Sequence, residues 1–497
     1  MTKPDPSIDY ADIQGLVRFA HGRLTEAVFL LLNVRDAARA CAWLAELPVT
    51  DAERKAPPPD TAVQIAFSAD GLRALGLDDA LIEQFSHEFL YGMAGEDSRS
   101  RRLGDVAHNA PERWHWGQTP PHVLLMLYAH RDIDAHRVAI CDAGFDAAFN
   151  VGHVLPTKDI GPIEPFGFID GISQPAIDWA QAFSTDRHER DAYANHLALG
   201  EVLLGYSNEY GEYAPRPMLE PQSPGADDLA PAEDQPALRD FGRNGSYLVF
   251  RQLHQDVRAF WQHLDHAANG DSDERERLGA AMVGRQRDGT PLMPEGDAEI
   301  PGGRRGNLFL YDSDLDGRRC PVGAHIRRAN PRTGDYPPGV RGFWTRFWAR
   351  LGFRGREDGK QGRHDLVASS RFHRLLRRGR EYGDHLPIDE ALKPGPDAER
   401  GLHFICLCAN LVRQFEFVQD AWINASTFDG VQGEGDPLLG SRAPLINGSA
   451  TDRFTIPDAT GVARRLEGLP AFVTLRGGGY FFMPSLRALR FIARKPG

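Results

Sequence analysis

The chain is poor in the features that would make it a secreted disulfide scaffold, a membrane span or a nucleic-acid binder. It has 497 residues but only five cysteines, an odd number that makes no disulfide framework. Cys406 and Cys408 form C-x-C without a second pair at zinc spacing, and are expected to be buried thiols. There is no C-x-x-C-H, which excludes covalent c-type haem attachment. No apolar run reaches the ~18 residues that a membrane span needs. The opening MTKPDPSIDYADIQG carries neither an apolar signal region nor twin arginines, so the expected compartment is the cytoplasm. Positive charge is in deficit: the formal net charge is −12, which argues against binding nucleic acid through phosphate contacts.

What is present is a soluble globular composition, 41% hydrophobic and 25% charged, in a chain too long for one core. The first 155 residues alternate between two periodicities. EAVFLLLNV (26–34), AVQIAFS (62–68), HVLLMLYA (122–129) and AAFNVGHVLP (147–156) read as strands. DAARACAWLAEL (36–47), the stretch 69–87 and IDAHRVAICDAG (133–144) read as helices. That order is βαβ–βαβ, the ferredoxin-like plan. Strand-then-helix returns at 245–267 and 401–424, and FVTLRGGGYFFMPS (472–485) reads as closing strands around a glycine turn. The expected fold class is therefore α+β, with two ferredoxin-like halves. An N-terminal domain spans 1–217, an acidic, proline-rich linker or loop 218–240, and a C-terminal domain 241–497.

The segment 341–380 opposes the global charge, with twelve Lys/Arg against three Asp/Glu. Within it, 343–354 sets Phe343, Trp344, Phe347, Trp348 and Leu351 on one helical face. Such a helix either lies on a membrane surface or packs by its aromatic side.

Three stretches carry candidate chemistry. PFGFIDGISQP (165–175) puts Asp170 between Gly167 and Gly171 among apolar side chains, which is either a tight turn or a carboxylate in a dry pocket. RRCPVGAHIRRANPR (318–332) carries His325 followed by Arg327, Arg328 and Arg332. HRLLRRGREYG (373–383) carries Arg377. Singly, each has an ordinary structural explanation. Together with LGYSNEYGEY (204–213), GRNGSYLVFRQL (242–253), RQFEFVQDAWIN (413–424) and RGGGYFF (476–482), in that order, they make the chain resemble the dye-decolorizing peroxidases over nearly its whole length. It departs from the usual family pattern in carrying Glu381 where a proline often stands, and in a long stretch between His325 and Arg377.

The resemblance implies a dimeric α+β barrel whose C-terminal half holds a non-covalent haem b. It implies a peroxidase that reduces hydrogen peroxide and oxidises dyes and phenolics by one-electron steps. His325 matches the family's iron ligand, and such a histidine normally donates its second N–H to a carboxylate. Glu416 and Asp420 are the candidates for that partner. Arg327, Arg328 and Arg332 are candidates for the haem propionates. Gly167 and Gly171 would let the backbone approach the porphyrin. Asp170 would shuttle the peroxide proton, and Arg377 would stabilise charge on the departing oxygen. An aspartate base predicts turnover that peaks on the acid side. Two other readings compete, the first needing His325 and the pocket but not Asp170 or Arg377. One is a haem-handling protein with incidental peroxidase activity; the other is a non-haem α+β enzyme using Asp170 and His325 as acid and base.

Overall fold

Long apolar strands dominate the architecture. In a computed structural model, the structure describes residues 8–181, 196–294, 306–307, 309–311, 313–332, 370–445, 448–458 and 461–494. The candidate surface helix at 343–354 lies outside the described residues. Strand β1 (Glu26–Val34) pairs antiparallel with both β3 (Val123–Ala129) and β4 (Phe149–Pro156), and β3 also pairs with β2 (Thr61–Phe67). Helix α1 (Ala37–Glu46) crosses from β1 to β2, and α2 (Ile133–Ile140) leads from β3 towards β4. The resulting strand order, β2-β3-β1-β4, is that of a ferredoxin-like unit.

The second half repeats the order with different sequence. Strand β5 (Ser246–Gln255) is followed by α3 (Val257–Ala267) and α4 (Ser272–Val283). Strands β6 (Leu376–Arg377) and β7 (Arg380–Tyr382) pair with β8 (Gly401–Cys408), β8 pairs with β5, and β5 with β9 (Val473–Met483). The halves meet edge to edge, Phe482 of β9 opposite Phe67 of β2, so one sheet runs through both. At the far edges the chain closes again: the Lys158 N–H, just past β4, donates to the Glu381 carbonyl of β7 at 2.8 Å.

Because β1 is apolar at nearly every position, both of its faces are covered. Val28, Leu30 and Leu32 join one buried cluster, and Ala27, Phe29 and Leu31 another. Cys406 and Cys408 are buried free thiols in β8, as expected. The 218–240 loop is closed on itself by a short ladder, Met218 opposite Asp240, and by the buried Arg216–Asp240 ion pair.

Three local expectations change. The stretch 69–87 is not one helix but short turns at Ala69–Ala74 and Asp79–Ile82, with another beginning at His87. Gly76 at φ 83° stops the first, and Asp78 and Ser86 cap their successors. The second helix ends at Ile140, and a new one, capped by Asp142, runs Ala143–Ala148. The glycines of RGGGYFF do not turn: β9 is continuous through them, with a bulge between Leu475 and Gly477. They are small because neighbours lie directly on the strand. A Cβ at Gly477 would sit 2.4 Å from the Trp116 ring, and one at Gly478 2.6 Å from Met93 Sδ.

Candidate active site

Asp170 is presented by a tight loop. Ile163 and Ile169 bridge, the Gly167 N–H donates to the Glu164 carbonyl at 2.8 Å, and the Asp170 N–H donates to the Pro162 carbonyl at 3.1 Å. Gly167 and Gly171 hold φ of 95° and 77°, which is what the turn requires of them. Phe166 and Phe168 anchor the loop in a third buried cluster, Phe168 stacking on Trp261 of α3.

Arg377 reaches Asp170 from the edge strand β6. Its Nη1 lies 3.0 Å from Oδ1 and 3.3 Å from Oδ2, while the Gly171 N–H donates to Oδ1 at 2.6 Å. Burial by itself would raise the carboxyl pKa. The Arg377 charge and the Gly171 N–H outweigh it and hold Asp170 below the usual carboxylate range. The pair is therefore ionised. About a third of each side chain, 35% of Asp170 and 32% of Arg377, stays open on the wall of a cavity.

That cavity, about 260 Å³, also takes in His325. His325 opens the short helix α5 (His325–Ala329), and its Nδ1 lies 2.9 Å from Oδ2 of Asp436. Asp436 is fully buried, and its Oδ1 accepts the N–H groups of Leu438 and Leu439 at 2.9 and 2.8 Å. Burial would raise this carboxyl; the His325 charge and those N–H groups bring it below its ordinary value. An ionised Asp436 can only accept, so Nδ1 carries a proton and Nε2 is the ring nitrogen left for the cavity. The remaining walls are mostly apolar, among them Leu253, Phe404, Phe415, Leu438 and Leu439.

The partner of His325 is thus neither sequence candidate. Glu416 is buried elsewhere, 2.9 Å from Arg99 Nε and hydrogen-bonded by the Tyr480 hydroxyl at 3.0 Å. Asp420 is exposed, with Arg102 the charge that acts on it. Asp436 was missed because 111 positions separate it from His325. A local signal existed: Asp-Pro-Leu-Leu is a sequence in which a carboxylate can cap the N–H groups two and three residues ahead.

The arginines after His325 separate by role. Arg327 does not line the cavity; its guanidinium holds the 314–320 turn through the Cys320 carbonyl at 2.7 Å and the Asp314 carbonyl at 2.9 Å. Arg328 donates to the carbonyls of Trp422, Ala425 and Glu434, which fastens α5 beside the Asp436 loop. Arg332 does line the cavity, with Nη1 donating to the Asn307 and Phe309 carbonyls at 2.9 and 3.0 Å. Gly167 and Gly171 are not among the lining residues.

A histidine with one nitrogen fixed on a buried carboxylate and the other free, in an apolar cavity, is a donor set that fits a haem iron. An ionised carboxylate–guanidinium pair on the same cavity fits acid–base chemistry on a small polar substrate. Among the described residues no group of three or more His, Cys, Asp or Glu could hold a metal ion by itself. No helix among them is long and apolar enough to cross a membrane.

No family model matches the chain. The multifunctional dye peroxidase DyP2 of Amycolatopsis sp. is 31% identical over 451 residues, 86% of this chain and 81% of that protein. The dye-decolorizing peroxidase msp1 of Mycetinis scorodonius is 29% identical over 516 residues, 98% of this chain and 88% of its own. A solved dye-decolorizing peroxidase in complex with 2,6-dimethoxyphenol shares the fold, with a TM-score of 0.70 at 24% identity over 98% of this chain and 100% of that one. Near-full-length identity above 30%, with the same barrel of two ferredoxin-like halves, leads to one conclusion: the chain belongs to the dye-decolorizing peroxidases, a family of haem enzymes, and is a peroxidase.

Proposed function

We propose that the cavity between Asp170–Arg377 and His325–Asp436 is the peroxide-reducing centre, with residues 241–497 gripping a haem b and residues 1–217 supplying the proton shuttle. The ionised Asp170–Arg377 pair, opening on the same cavity as a histidine with a free nitrogen, carries this reading. His325 Nε2 would hold the haem iron, with Asp436 engaging Nδ1 so that Nε2 is left available. Arg332 is the propionate partner, supported by its place on the cavity wall; Arg327, engaged in its own turn, is not retained in that role. These residues would hold the haem without a covalent link, and it would supply an iron able to take two oxidising equivalents and return them singly.

The chain's own part is to move protons and steady charge. An ionised Asp170 takes a proton from one oxygen of hydrogen peroxide and returns it to the other as the O–O bond breaks. Arg377, which keeps its own proton, stabilises the negative charge on the departing oxygen. The surrounding Phe166, Phe168, Ile169 and Ile172 keep this exchange out of bulk water. Two further protons and two electrons complete reduction to two waters, and each organic donor gives up one electron. Phenolics, the class of 2,6-dimethoxyphenol bound in the solved relative, are the donor class we assign.

The test is paired. His325→Ala should lose or visibly change the Soret spectrum of the haem-loaded protein. Asp170→Asn and Arg377→Leu should keep the spectrum, yet react with peroxide about 10²-fold more slowly. Distal variants that react at the wild-type rate would leave only haem handling.

A further inference from the structure

Glu164 sits six residues before Asp170, on the same cavity wall, and its carboxylate is committed in three directions. Oε2 accepts the Phe166 N–H at 3.0 Å and the Gln255 side-chain N–H at 2.7 Å; Oε1 accepts the Phe168 N–H at 3.0 Å. Phe166 and Phe168 lie between Glu164 and Asp170, and their aromatic rings are buried against α3. Gln255 belongs to β5, the central strand of the C-terminal half, and lines the cavity beside Leu253. A single carboxylate therefore ties the inside of the Asp170 loop to the strand that floors the site.

We propose that Glu164 is the positioning residue of the distal side, its carboxylate holding the Asp170 loop against Gln255 so that the Asp170 carboxylate meets Arg377 and incoming peroxide in one fixed geometry. The inference rests on the reading of Asp170 as the peroxide base. The loop's other ties do not fix this register. Trp261 Nε1 donates to the Phe166 carbonyl at 3.1 Å; Arg287 accepts the Ile169 N–H at 3.1 Å and donates from Nε to the Gly167 carbonyl at 3.4 Å, and none of these bonds reaches β5. Only Glu164 gathers two loop N–H groups and a β5 side chain at one point. Proton-transfer rates fall steeply with misplacement, so a loosened loop costs rate even where the fold survives.

The clamp also depends on pH. Burial pushes Glu164 up to about 7, against the lowering effect of its three donors, and the Asp170 charge adds to the rise. Besides Asp170, the charged group facing it is Glu381 of β7; Arg287, packed on Gly167, is paired with Glu276. When Glu164 takes a proton it must donate as well as accept, and the Gln255 amide has to turn over to receive it. Glu164→Gln imposes that arrangement at every pH.

The experiment uses the haem-loaded, full-length protein and three readouts: the Soret spectrum with the melting midpoint, cyanide affinity, and the peroxide rate constant from pH 4 to 9. Cyanide, arriving as HCN, gives up a proton on binding, so a well-placed distal acceptor favours it without any turnover. For Glu164→Gln we expect a retained Soret spectrum, cyanide affinity and peroxide rate each lower by about tenfold at pH 8, and loss of a wild-type inflection near neutrality. Should Glu164→Gln fail to hold haem, Gln255→Leu cuts the tie to β5 while keeping the loop bonds, and should show the same two losses. A lower melting midpoint with unchanged cyanide affinity and pH profile in the variant tested overturns the proposal, since a plain structural staple predicts that result. Asp170→Asn is the control. If it is slow and Glu164→Gln is not, this inference alone fails; if Asp170→Asn matches wild type, the base assignment fails and takes this inference with it.

Discussion

Asp436 Oδ2 and His325 Nδ1 lie 2.9 Å apart, one fully buried and the other opening a helix on the cavity wall. Two N–H donors on the other oxygen of Asp436 keep it ionised and stationary, so the histidine's orientation is set by a carboxylate that cannot turn. Asp436→Asn keeps the shape but offers a neutral group. The expected result is haem affinity lower by about 10- to 100-fold. The iron reduction potential should also move to more positive values, because the imidazole donates less electron density. Haem titration and spectroelectrochemistry read the two effects separately, and unchanged values in both would remove Asp436 from the site.

The acid limb of the peroxide reaction should lie unusually low. Arg377 and the Gly171 N–H hold Asp170 below the ordinary value of ~3.9. The ionised form is the active one, so the base persists as pH falls until that depressed pKa is reached. Stopped-flow rates from pH 2.5 to 6, below the inflection that Glu164 sets near neutrality, should hold level down to about pH 4. In Arg377→Leu the limb should shift upward, because burial then acts on Asp170 without its counter-charge. A limb that stays put in Arg377→Leu would contradict the coupling.

Glu381 sets a stability trend of opposite sense. Burial raises its carboxyl to about 7, with Asp170 and Glu164 adding repulsion. The unfolded chain titrates near ~4.3. Between those values the folded form binds the extra proton, so this group's contribution to stability falls as pH rises from about 4.3 to 7 and stays low above. Glu381→Gln should therefore raise the melting midpoint at pH 8 by roughly 2 °C or more and leave it unchanged at pH 4. Differential scanning at the two pH values decides it; an equal shift at both would mean that charge is not the cause.

The glycine run of β9 predicts a steric penalty. Gly477→Ala drives a methyl into the Trp116 ring, whose Nε1 donates to Gln252 Oε1 at 2.8 Å. Shifting the indole breaks that bond, and overpacking of this kind costs about 1–3 kcal/mol. Denaturant melts should show the loss, together with a changed tryptophan emission. Gly478→Ala should cost less, because the Met93 thioether it meets is flexible.

What the sequence determined by itself is local. The continuous apolar run 26–34, the strand-to-helix changes of period and the ordered motifs around Asp170, His325 and Arg377 were enough for the fold class and for the family. Each is written in side chains close together along the chain, where periodicity and spacing can be read directly. Tertiary structure decided the rest, because electrostatic and steric partners are chosen by distance in space. His325 took Asp436 rather than Glu416, which Arg99 and Tyr480 had already engaged. Arg327 and Arg328 were consumed by backbone carbonyls, a demand that no arginine spacing announces. The glycines 477–479 stayed in a strand because Trp116, Met93 and the β5 backbone cover it, although glycine runs by themselves favour turns. Asp170 changed from a turn residue into one half of an ion pair only when β6 brought Arg377 to within 3.0 Å of it.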